Sequence, residues 1–439
     1  MNGPPRPRAL VVYASPSWPL RTSVADHLFA LERHGPYEVI YLNIALRHVP
    51  RWLLRIKIDL VVFHTIFLAQ RWEPPIFARL RSRLQPLKVL AAPMVAVPQD
   101  EFMHADLLCD FLNEFDVGYV LSCAPETEWP QIYGRLGPRS RIAKVLTGYL
   151  EPQTVRRIET LRETGRARRP TDIGYRAWRP QPWLGRHGML KSLIAEKVAG
   201  LAPGLGISSD ISLEERDTLV GDAWYRFLLG CRYTIGVEGG ASILDANGDV
   251  KRCTDSMHLA HPDASFEEIE AACFPGRDGE LSLFALSPRH LEACATRTGQ
   301  ILVEGHYDGV LTPGRHYIPV RRDLSDLASA LEISRSDEAL AVMTGHAYAD
   351  IVASGRYTYR SYIDGLVALI NDRPEWDPTA VPGARDDRWL IRAARFAESV
   401  SRWTLLAKRL ALRALRALRL LEPVRGLRRR VRAIRAESG

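Results

Sequence analysis

The chain has 439 residues, 46% of them hydrophobic and 25% charged, which is too long for one core of roughly 250–300 residues and too apolar for a disordered or fibrous protein. Two domains and a tail are predicted. The formal net charge of +8 is local: residues 402–435 hold twelve Lys or Arg against Glu422, leaving 47 basic and 50 acidic residues elsewhere, so a nucleic-acid groove across the body is excluded.

In chain order, RALVVYA (8–14), YEVIYLN (37–43), IDLVVFH (58–64), LKVLAAPMVAV (87–97), VGYVLSC (117–123) and AKVLTGY (143–149) are nearly continuous apolar runs, as buried parallel strands are. Helical stretches stand between them, at 23–33, 75–83 and 106–114. This predicts a doubly wound α/β domain over 1–165. The polar stretch Arg156–Pro170 is expected to be the interdomain linker.

A second set follows over 166–336. Its expected strands are TDIGYRAW (171–178), GLGISSD (204–210), CRYTIGVE (231–238), GQILVEG (299–305) and HYIPV (316–320), and its helices are 190–200, 222–229, 266–273, 288–297 and 324–333. A helical extension is expected over 337–400, broken by the loop 374–387, and a basic amphipathic tail over 401–439. The expected fold class is therefore α/β, with two Rossmann-like domains facing across a cleft (the GT-B arrangement) plus C-terminal helices.

The six cysteines form no CxxC pair or regular framework and are expected to be free thiols in a reducing compartment. The opening MNGPPRPRALVVYA lacks the apolar run of a secretory signal, and no segment approaches the ~18 apolar residues of a spanning helix. A cytoplasmic protein, with any membrane contact peripheral, is expected.

Several segments carry candidate chemistry. In YRAWRPQPWLGRHGMLKSLIAEKV (175–198) a strand ends in Arg176, and a helix expected to start near Met189 carries Lys191 in its first turn. Outward N–H groups, the helix dipole and two cations suit a diphosphate; the alternative is a pair of solvated surface cations. Arg289 and Glu292 are three apart at the start of a predicted helix and share a face. The arginine can take a diphosphate bidentately and the carboxylate two ribose hydroxyls, or the two form a surface pair.

In GVEGGASILDANGDVKR (236–252), Glu238 closes a strand and is a candidate catalytic carboxylate of a sugar or phosphate pocket, and Gly239, Gly240 and Ser242 allow close backbone approach there. Asn247 and Gly248 read as a hairpin turn. In the first domain, Asp100, Glu101 and His104 follow a strand, and Asp100 is a candidate base for an acceptor hydroxyl or, alternatively, a helix cap. His64 reads as a strand-end histidine. No Asp-x-Asp and no zinc-spaced His/Cys cluster occurs, so no metal site is expected. The tail from Trp403 interleaves leucines with Lys408, Arg409, Arg413, Arg416, Arg428, Arg429 and Arg430, a pattern for an anionic membrane surface or a docked helix with a solvated basic face.

The run SPRHLEACATRTGQILVEG followed by GVLTPGRHYIPVRRDLSDL resembles the donor-binding region of group 1 glycosyltransferases, in which an Arg-x-x-Glu-Ala helix precedes a strand and a Pro-Gly turn. The likeness covers roughly Thr171–Leu331 and is nearest to bacterial enzymes of surface-polysaccharide assembly. It implies that Glu292 contacts the donor ribose, that Arg289, Arg176 and Lys191 hold the diphosphate, and that Glu304, His306 and Tyr307 lie near the donor pocket. Eight positions before Glu292, where retaining members often carry another glutamate, stands Phe284, which leaves the stereochemical outcome open.

The expected activity is a metal-independent, hexosyltransferase-like glycosyl transfer from a nucleotide-sugar to a lipid-linked or surface-glycan acceptor at the inner membrane face. No cofactor or nucleic-acid partner is expected, since the nucleotide-sugar is a substrate. The alternatives are a sugar epimerase of the same fold and a non-catalytic scaffold of a polysaccharide assembly complex.

Overall fold

The computed structural model describes residues 6–165, 169–372 and 388–417. The expected loop 374–387, part of the expected linker, the side chains of Arg413 and Arg416, and Arg428, Arg429 and Arg430 lie outside the described residues.

The first domain is a six-stranded sheet of β1 (Arg8–Tyr13), β2 (Glu38–Asn43), β3 (Leu60–Phe63), β4 (Met94–Ala96), β5 (Tyr119–Ser122) and β6 (Arg141–Lys144), all parallel in the order β2-β1-β3-β4-β5-β6. Side chains of alternate parity enter two apolar layers: Leu10, Val12, Val61 and Phe63 face one, Val11, Tyr13, Leu60 and Val62 the other.

The second domain contributes β7 (Thr171–Arg176), β8 (Ser209–Ser212), β9 (Cys231–Gly236), β10 (Gly239–Ala241), β11 (Leu283–Ala285), β12 (Gly299–Val303) and β13 (Ile318–Val320). β10 and β11 form an antiparallel pair. The other five make a parallel sheet in the order β13-β12-β9-β7-β8.

Four expectations are corrected. The polar stretch expected to be a linker is mostly helix, Pro152–Thr164: proline occupies its first turn, Glu151 accepts from the Gln153 N–H at 3.4 Å, and Ile158 and Leu161 share a buried face. Its polarity belongs to the solvated side.

The helix expected from Met189 begins at Gly185, whose φ of +74° and tight packing against Ser242 and Asp278 admit no side chain. Asn247–Gly248 turns no hairpin. Gly248, at φ +82°, opens the helix Asp249–Ala260, and the Asp245 carboxylate accepts from the N–H groups of Val250 (3.2 Å) and Lys251 (2.9 Å). Lastly, Cys253 and Cys273, each on one of two adjacent helices, form a disulfide, while Cys109, Cys123, Cys231 and Cys294 are free and buried.

Two features hold the domains together. The segment carrying β10, β11 and the disulfide-linked helices buries Ile243, Leu244, Phe274 and Leu281 in one core with Phe63, Phe67 and Phe111 of the first domain. Backbone hydrogen bonds reinforce this contact, His104 N to Asp245 O and Asp245 N to Phe102 O, both 2.8 Å. The C-terminal helices also divide. Ala347, Ile351 and Val352 pack on the second domain, whereas the helix Tyr359–Asn371 returns to the first, burying Tyr359, Tyr362 and Ile363 against Leu28 and Leu31. Among the described residues no helix is long and apolar enough to cross a membrane.

Candidate functional site

Between the domains lies a cavity of about 580 Å³, within the size range of small-molecule sites. Its walls are loops that leave the C-terminal ends of parallel strands: Asp100 after β4, Arg176–Trp178 after β7 and Val237 after β9. Ligands bind at this edge in doubly wound folds, because crossover loops there are free to carry polar groups. A smaller recess of about 150 Å³ adjoins it, lined by Arg21, Arg176, Trp178, Trp224, Arg289 and Glu292 among others.

Lys191 projects into the large cavity from the helix Gly185–Leu201. Among the described residues its ammonium has no hydrogen bond and no ion pair, and burial, helped by nearby Arg289, lowers its pKa while Asp100 opposes the shift. Lys191 is half-buried, and a partly desolvated cation without a partner is costly unless a ligand supplies the counter-charge.

Asp100 faces it from the other domain. The fully buried Arg71 holds this loop, donating to the carbonyls of Leu68 (3.0 Å), Gln99 (2.7 Å), Asp100 and Met103 (2.8 Å). Asp100 itself adopts φ +51°, a strained conformation of the kind that clusters at functional sites. Its carboxylate is reached by solvent through the cavity and has no hydrogen-bond partner among the described residues. The surrounding protein raises its pKa by desolvation, against the pull of Arg71 and Lys191.

Arg289 stands exposed at the start of the helix Pro288–Ala295, donating to the Arg176 carbonyl, with its guanidinium 5.5 Å from the Trp224 ring centre. One turn on, Glu292 accepts from Trp224 Nε1 at 2.8 Å. Burial pushes the Glu292 pKa up to about 7, with Trp224 and Arg289 opposing.

The sign of that shift gives a stability prediction. An acid whose folded pKa exceeds its ordinary 4.5 destabilises the fold wherever it is ionised. Glu292→Gln should therefore stabilise the protein by up to about 3 kcal/mol at about pH 8, the gain shrinking as pH falls through 7 towards 4.5. Denaturant melts of both proteins at about pH 5 and pH 8 check this; a gain independent of pH would sink the assignment.

The remaining candidates lie elsewhere or are occupied. Arg176 Nη2 donates to both carboxylate oxygens of Asp210 (2.8 and 2.9 Å), and the guanidinium lies 4.4 Å over Phe227, so its charge is already neutralised beside the cavity. Gly239 lines the cavity, whereas Gly240 is pressed against the Leu283 carbonyl in the β10–β11 pair. Ser242 donates to Asp278 at 2.7 Å and supports the Gly185 helix start.

Glu238 is buried with its carboxylate turned from the cavity onto the 305–307 loop, where it accepts from the Tyr307 N–H at 2.5 Å. That contact ties the end of the strand to the loop, away from the cavity where a catalytic carboxylate was expected. Glu304 and His306 are exposed and Tyr307 is buried, and none of the three lines the cavity. Glu101 is an internal anchor for Ser122, Cys123 and Tyr133, and His64 pairs with His27 at 2.8 Å, both rings held neutral by burial.

Sequence reasoning missed the aromatic walls, Trp72, Trp178, Trp183 and Trp224, and Arg21, which caps Trp178 from the first domain at 4.9 Å. The tryptophans of AWRPQPW, in a loop after a strand, were the available signal.

No protein-family model and no curated protein matches the chain. Solved structures similar to it include HepE from Anabaena in complex with UDP and glucose, at 11% identity over 83% of this chain and 100% of that one, with a TM-score of 0.45. Another is sucrose-phosphate synthase from Thermosynechococcus elongatus, at 11% identity, 83% and 98% coverage and a TM-score of 0.44. A third is the pneumococcal O-GlcNAc transferase GtfA in complex with UDP and GlcNAc, at 10%, 73% and 58%, with a TM-score of 0.36. The chain itself consists of two α/β domains with parallel sheets of six and five strands that meet across a cleft.

Proposed function

We propose that the chain transfers a sugar from a nucleotide-sugar to a lipid-linked or surface-glycan acceptor, as a group 1-like glycosyltransferase of polysaccharide biosynthesis working in the cytoplasm against the inner membrane face. The observation that carries the reading is the unpartnered Lys191 ammonium, together with Arg289, in a cavity at the C-terminal edge of both sheets.

Lys191 and Arg289 hold the donor diphosphate, and Glu292, in its ionised form, accepts from the ribose hydroxyls. Asp100 takes the proton of the acceptor hydroxyl as its oxygen bonds to the anomeric carbon. The bond from that carbon to the diphosphate breaks, and the leaving charge falls on the two cations, which the cavity walls hold in place for it. This assigns leaving-group stabilisation to side chains and Asp100 to an inverting displacement.

A thermal-shift panel of UDP-, GDP-, ADP- and CMP-sugars without added metal tests the reading, since a ligand at 100 times its dissociation constant adds ~2.7 kcal/mol. UDP, carried by the HepE and GtfA structures, heads the panel. One nucleotide class should stabilise the protein, and Arg289→Ala, at an exposed position, should leave the fold intact and remove the shift. Silence across the panel would turn the reading to the scaffold, and product formed without an acceptor to the epimerase.

A further inference from the structure

The helix Arg388–Ala417 carries two apolar stripes. Ile391, Ala394 and Leu405 are buried where it lies along β2, the edge strand of the first sheet. At about 100° per residue these positions share one side. Trp389, Phe396, Val400, Trp403 and Leu410 fall roughly 180° away, and Trp389, Phe396 and Trp403 are 67%, 71% and 70% exposed. A helix docked on a core needs one apolar stripe; the second has no partner among the described residues, over about 30 Å of helix.

Charge selects the occupant. The helix holds eight Lys or Arg and one acid, Glu398. That acid is buried and engaged, with the Tyr13 hydroxyl donating to it and Arg402 paired at 3.2 Å. Arg392, Arg395 and Lys408 are exposed beside the apolar stripe. The sequence from 418 to 439 adds seven more basic residues against two acidic ones. A second copy of the chain would bring the same positive face and be repelled, whereas an anionic bilayer meets both the cations and the exposed tryptophans, which favour the headgroup region.

We infer that this outward face, centred on Phe396 and Trp403, is the surface by which the protein lies on anionic lipid. The inference rests on the membrane-facing part of the proposed function and is independent of sugar transfer. It also moves the contact from the tail alone to a helix seated on the first domain.

Full-length protein is sedimented with phosphatidylcholine vesicles with and without phosphatidylglycerol, beside the F396S/W403S variant. The wild type should bind only the anionic vesicles, more weakly as salt rises, and the variant more than about tenfold less tightly. An unchanged melting temperature and donor response in the variant would show that the fold and the donor site survive. Equal vesicle binding by both proteins, or none by the wild type, overturns the inference. So does light scattering that finds a wild-type dimer which the variant loses and vesicles do not disperse.

Discussion

Replacing Asp100 with asparagine should lower the rate of sugar transfer by about 10²- to 10⁴-fold while leaving donor binding nearly unchanged. The carboxylate stands in the cavity without a hydrogen-bond partner among the described residues, and its raised pKa makes it a better proton acceptor than an ordinary aspartate. Asparagine tolerates the left-handed backbone at this position, so the Arg71-held loop should keep its shape and only the proton acceptor is lost.

The pH profile gives an independent reading. Wild-type activity should fall as pH drops through the Asp100 pKa, at a higher pH than an unperturbed aspartate would give, and the residual activity of the variant should lack that limb. A variant with unimpaired turnover, measured with saturating donor, would remove Asp100 from the mechanism.

Lys191→Met should have opposite effects on binding and stability. Donor affinity should fall by roughly 10- to 100-fold, since charge-assisted hydrogen bonds contribute about 1.5–3 kcal/mol. The melting temperature of the ligand-free protein should rise modestly, because a half-buried cation with no partner among the described residues is partly desolvated. The depressed lysine pKa sets the sign: the ammonium costs stability below its folded pKa, and the cost fades as pH rises through that value towards 10.5. The gain in the variant should therefore be full at neutral pH and vanish in alkali. Calorimetric titration with the nucleotide and parallel melts check both halves; a lower melting temperature with unchanged affinity would make Lys191 structural.

The strands were legible where burial on both faces made the sequence continuously apolar, as in Leu10–Val12, Leu60–Phe63 and Ile301–Val303. The run 87–97 was read too long, because apolarity alone does not separate a strand from a buried turn. Gln85–Val89 is a 3-10 turn, and Pro93, which has no N–H to donate, precedes the three residues of β4. The Asn-Gly pair illustrates the same limit: a left-handed glycine serves a hairpin and a helix start equally well, and the Asp245 carboxylate decided between them.

For the site, the sequence by itself determined that cations and carboxylates would follow the strands of two α/β domains, because period and turn chemistry are local properties. Asp100 was named on that ground, Lys191, Arg289 and Glu292 on their helix-start positions and on the family resemblance, and the four meet around one cavity and its adjoining recess. Which charges stay available was decided only by the tertiary structure. Arg176 met Asp210 across neighbouring strands, Glu238 met the backbone of the 305–307 loop, and Lys191 met no partner among the described residues. The physical reason is that a charge's partner and solvation depend on residues remote in sequence, so the desolvation that tunes Asp100, Lys191 and Glu292 exists only once the two domains close around them.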